Sequence, residues 1–103
     1  MRFERRNYKD VSALTTETSL YVPAIGERLS LLEIGGNGCG QLVKLVWDYG
    51  GSGETILFST NGDSEQSPSE LILEGDGVKA LSIVLINSAA YPVTMGGYWI
   101  GSN

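Results

Sequence analysis

The stretch "QLVKLVWDYGGSGETILFST", residues 41–60, alternates apolar and polar side chains, breaks at four small residues, and then resumes. A period of two places Val43, Leu45, Trp47 and Tyr49 on one face of a strand, with Leu42, Lys44, Val46 and Asp48 on the other. The first set is the expected core face, Trp47 included. "GGSG" at 50–53 supplies a hairpin connection, so residues 54–60 return as the antiparallel partner.

Other segments follow the same plan of short apolar runs closed by turn residues. Residues 18–22 read as a strand ended by Pro23 and the "PAIGE" turn, and residues 28–34, "RLSLLEI", as a strand with core on one face and partial cover on the other. "IGGNGCGQ" reads as a hairpin loop joining 28–34 to 41–49, with positive φ at Asn37 and at several glycines. "NGDSEQSPS", residues 61–69, has no apolar residue and reads as an exposed loop. After the short run "ELILE" comes the turn signal Gly75-Asp76-Gly77-Val78.

"KALSIVLINS" is the most apolar run, with Leu81, Ile83 and Leu85 on one face and Ser82, Val84 and Ile86 on the other. It is expected to be a central strand, or one whose outer face meets another subunit. "MGGYWIGSN" closes the chain as a strand in which Trp99 opposes Tyr98 and Ile100, so one of these sets lies outside the core or under another chain. With residues 2–8 counted as a further strand, the chain is expected to be all-β. About eight short, mostly antiparallel strands form a β-sandwich of jelly-roll kind.

Size allows one domain: 103 residues close a single two-layer core and leave no room for a second. The net charge of −5 conceals a segregation. Arg2, Arg5, Arg6 and Lys9 against Glu4 give residues 1–9 a sum of +3, while Arg28, Lys44 and Lys79 against eleven acids give the remainder −8. The charges therefore predict a basic N-terminal arm, residues 1–9, followed by an acidic sandwich domain, residues 10–103. Such an arm fits the acidic surface of a neighbouring copy. Nucleic acid is a poor partner for a body of this sign.

Residue types exclude much chemistry. One cysteine permits no intrachain disulfide, and without histidine a zinc site would rest on carboxylates alone. The glycine loop at 35–40 leads into a strand, lacks the G-x-G-x-x-G spacing, and has no following Lys-Ser/Thr, so it does not predict nucleotide binding. Cys39 lacks the histidine that would activate a thiol and reads as a small turn residue. Asp48 and Glu54 could face each other across the hairpin turn as the carboxylate pair of a small hydrolase, a lesser alternative, but acids there are ordinarily solvated. Asp63, Glu65, Glu74 and Asp76 could converge on calcium, although their spacing matches no calcium loop. The expectation is a protein without catalytic residues, cofactor or metal. No run reaches the length of a membrane span and no apolar leader follows the basic start, so a soluble chain made in the cytoplasm is expected.

The segments "LEGDGVKALSIVLINSAA" and "MGGYWIG", within residues 73–101, resemble small all-β accessory proteins of tailed phages. In these a Gly-Asp-Gly-type turn leads into a long apolar strand ending in Asn, and a Gly-Gly-aromatic strand closes the fold. The resemblance covers the last third of the chain. It implies a catalytically silent jelly-roll-like domain that assembles on the virion as a decoration, head-completion, fibre or tail component, often as a trimer. Made in the host cytoplasm, it would partner itself and a capsid or tail protein. Candidate interface residues are Arg2, Arg5, Arg6, Lys9, Val84, Ile86 and Trp99. The alternative reading is a carbohydrate-binding module stacking sugars on Tyr49, Tyr98 or Trp99.

Overall fold

The computed structural model describes residues 2–11, 17–68, 71–85 and 92–102. These form nine strands and two antiparallel sheets. The strands are β1 (Arg2–Val11), β2 (Glu17–Tyr21), β3 (Arg28–Asn37), β4 (Val43–Trp47), β5 (Thr55–Thr60), β6 (Asp63–Gln66), β7 (Ile72–Glu74), β8 (Leu81–Leu85) and β9 (Val93–Ser102). The first sheet runs β1-β9-β3-β6, with β7 also on β3, and the second runs β2-β8-β4-β5. If β6 and β7 share one position beside β3, the pairs are first with last, second with second-last, and so inward to the β4–β5 hairpin. One long antiparallel ribbon has been rolled into a sandwich, which is the jelly-roll arrangement.

The core is the space between the sheets. Leu29, Leu31, Ile34, Val93, Met95 and Trp99 of the first sheet meet Val43, Leu45, Trp47, Leu81, Ile83 and Leu85 of the second, all buried. The alternation in residues 41–47 and 81–85 is realised as expected. In β3 it is broken. A register shift between Leu31 and Glu33 leaves Leu32 exposed, so Leu29, Leu31 and Ile34 all face inward despite their uneven spacing.

Four local expectations are corrected. Residues 2–11 do not form an arm apart from the sandwich: they are β1, paired with β9 in ten consecutive registers, Arg2 opposite Ser102 through Val11 opposite Val93. Backbone pairing along a full-length partner explains a strand whose only apolar side chains are Phe3 and Val11. Residues 63–66, read as loop, form the edge strand β6 on Ile34–Asn37. β3 and β4 lie in different sheets, so the glycine-rich segment between them is a crossing and not a hairpin. In it the positive φ falls at Cys39 (49°) and Gly40 (87°) and not at Asn37 as expected; the Asn37 side-chain oxygen Oδ1 accepts from Cys39 N–H at 2.9 Å.

The expected β4–β5 hairpin is present. Its flanking acids hold the turn: Asp48 Oδ2 accepts from Gly53 N–H (3.2 Å) and Glu54 Oε1 from Gly50 N–H (2.8 Å). Asp76 does the same for the turn after β7, accepting from Val78 and Lys79 N–H at 2.8 and 2.7 Å. These backbone donors, that of Lys79 foremost, hold the Asp76 carboxyl below its usual range.

Candidate functional site

On each strand of the first sheet, residues facing away from the core form an outer surface whose rows follow from the register. One row is Arg6, Tyr98 and Glu33; the next is Tyr8, Gly96, Gly35 and Glu65; the third is Asp10, Thr94, Asn37 and Asp63. The middle row has no side chain on its two central strands. A trough of about 340 Å³ results, lined by Arg6, Tyr8, Glu33, Asn37, Asp63 and Glu65 among others.

Tyr8 lies across this trough. Its Cα sits so near Gly96 that a Cβ there would strike it and the Asn7 carbonyl, which requires glycine at this point. Its hydroxyl is 3.5 Å from the place a Gly35 Cβ would occupy and donates to Glu33 Oε1 at 2.5 Å. The Tyr8 side chain therefore spans the bare backbone of β9 and is anchored on β3. The same Glu33 oxygen receives Arg6 Nη1 at 2.8 Å, and the Arg6 guanidinium lies 5.0 Å over the Tyr98 ring. Burial, with the Glu33 carboxylate beside it, holds the Tyr8 hydroxyl well above its ordinary pKa. The bond from Tyr8 is the main cause lowering that of Glu33, with Arg6 adding to it. Tyr98 donates to Glu4 Oε2 at 3.1 Å, and that bond raises its pKa.

The basic residues expected to reach a partner are divided by the pleat. Arg2 and Arg6 face outward with the rows above. Arg5 and Lys9 face the second sheet: the Arg5 guanidinium lies 5.0 Å over the Tyr21 ring and Lys9 Nζ donates to Ser19 O at 3.3 Å. Asn7 Nδ2 likewise donates to Leu20 O at 3.2 Å. Lys9 and Asn7 of β1 thus bond carbonyls of β2, the edge strand of the second sheet, and with Arg5 on Tyr21 they close one side of the sandwich.

Two candidate contact residues are corrected. Trp99 is fully buried, 5.7 Å from the Tyr21 ring between centroids, so it offers neither a glycan platform nor an interface. Tyr98 and Ile100 take the outer face of β9 instead. Val84 is 6% exposed in the single chain, in a row with Glu17 and Lys44 on the outer face of the second sheet. It is too enclosed to meet a partner. Ile86 lies outside the described residues. Tyr49, expected on the core face with Trp47, is instead 45% exposed in the turn between β4 and β5, away from Tyr98 on the first sheet, so the two do not form one platform. Among the described residues no group of three or more acids, cysteines or histidines could hold a metal ion.

Tyr8, Glu33 and Asn37 were not legible as a site. They are separated by 25 and 4 positions, and only the β1–β9–β3 register brings them together. The available signal was "MGGY" set against a strand carrying one tyrosine. No protein-family model and no curated protein matches this chain.

Proposed function

We propose that this chain is a non-enzymatic structural protein that acts by self-assembly and protein contact, as an accessory capsid or tail component of a virion. The observation that carries the assembly reading is the opposite charge of the two edges of the first sheet. β1 bears four cations against two acids, whereas β6 and β7 bear Asp63, Glu65 and Glu74 and no cation. Each edge pairs with a neighbour on one side only among the described residues. β1 runs parallel to β3 and antiparallel to β6, so a second copy placed beside the first in the same orientation presents β6 antiparallel to β1. Such a contact joins unlike surfaces, and cyclic closure gives a ring such as a trimer. The virion assignment rests on the resemblance of residues 73–101.

Light scattering at micromolar concentration tests this. A stable multimer that loosens at high salt is expected. Asp63→Lys with Glu65→Lys, and separately Arg2→Glu, should each weaken it, and mixing the two variants should restore it. A strict monomer, or a multimer indifferent to both variants, overturns the reading.

A further inference from the structure

The trough on the outer face runs between the two edge strands of the first sheet and has a chemistry of its own. We infer that it is a saccharide subsite with Tyr8 as its stacking platform. A sugar needs a flat apolar surface for its C–H face and a mixed set of donors and acceptors for its hydroxyls. The Tyr8 ring supplies the first. It spans β9 where Gly96 and Gly35 carry no side chain, and the Glu33 bond at 2.5 Å fixes its far end. A platform held before binding loses little freedom when occupied.

The polar groups around it are of both kinds. Asn37 turns Oδ1 to Cys39 N–H and keeps Nδ2 as a donor. Asp63 and Glu65, both exposed on β6, are acceptors on the far wall. Glu33 takes both the Tyr8 and the Arg6 bonds on Oε1, so its second oxygen is a further acceptor. Three carboxylates against one guanidinium repel phosphate, sulfate and acidic sugars, which leaves neutral saccharides. The volume of about 340 Å³ lies at the small end of ligand pockets and suits one or two sugar rings.

Backbone amide NMR shifts of the intact, isotope-labelled chain test the inference, with glucose, galactose, mannose, rhamnose and N-acetylglucosamine and their disaccharides as probes. Spermidine and inorganic phosphate serve as controls. At least one sugar is expected to move the Gly35, Gly96 and Asn37 amides saturably, with Kd of about 1 mM. Tyr8→Ala should weaken binding by about tenfold or more, Tyr8→Phe by much less, and Glu65→Ala by a few-fold while leaving the fold intact. Failure of every sugar to move these amides overturns the subsite. So does a response to spermidine alone, or sugar binding unchanged in folded Tyr8→Ala and Glu65→Ala. Light scattering on the same variants reads the oligomeric state separately, so a loss of assembly is distinguished from a loss of sugar binding.

Discussion

The ring of Phe3 on β1 lies where a side chain of Gly101 on β9 would be, so closely that a Cβ on Gly101 would overlap it. Phe3 and Gly101 are register partners on the core face, and the ring packs against the buried cluster 6.2 Å from Tyr21. An aromatic residue laid over a glycine on the adjacent strand thus recurs on both faces of one strand pair, with Tyr8 and Gly96 outside. Gly101→Val should lower stability by about 1–3 kcal/mol, as overpacking does. Phe3→Ala in the same chain should return part of that loss, and urea denaturation of the double-mutant cycle measures the coupling.

Trp99 fills the centre of the core, but its Nε1–H has no hydrogen-bond partner among the described residues. Trp99→Ala should cost about 3–5 kcal/mol. Trp99→Phe should cost only about 1 kcal/mol, because it also removes a buried donor that had lost its water. Denaturant midpoints of the two variants check the difference.

Stability should fall at alkaline pH through the tyrosines. Tyr21 donates to Glu27 Oε1 at 2.6 Å, and burial followed by that bond pushes its pKa from 10.0 up to about 12. The stabilisation is complete below pH 10.0 and is lost as the pH climbs through about 12. Tyr8 shifts in the same direction. Tyr21→Phe should flatten this alkaline decline. Glu33, whose pKa is lowered, acts at the other end: its support is present above the usual 4.5 and is lost as the pH drops through the lower folded value. Denaturant midpoints against pH, with tyrosinate absorbance, check both arms.

Cys39 is exposed in the crossing between the two sheets. A thiol reagent should modify the native protein at this one residue without prior unfolding, and intact mass should show a single addition. Slow labelling that tracks global unfolding would contradict this placement.

Much of the fold was legible because most strands are amphipathic or wholly apolar and are closed by Gly, Pro or Asn-Gly. The departures share one cause: they depend on pairing between distant segments. "DSEQ" has no apolar residue and becomes β6 only because β3 presents it a free edge. The inward side of "YWI" follows from the β9 register with β1 and β3, where Gly97 and Gly101 flank Trp99 on the core face. The Leu31/Glu33 irregularity reverses the parity of β3 within an unbroken apolar run. The basic residues drew attention to β1 as a charged segment, yet the neutral Tyr8 between them organises the trough.

The pairing of β1 with β9 bears on the order in which the molecule can be made. β1 has no sheet neighbour other than β9 among the described residues, and β9 begins at Val93. On a ribosome, β1 must wait until residues 93–102 have been made before its ladder can form. Until then its backbone groups stay unpaired and Phe3 has no Gly101 to cover. Contacts between segments this far apart slow folding. The β1–β9 ladder is accordingly acquired late, after β3 can already hold β6 and β7.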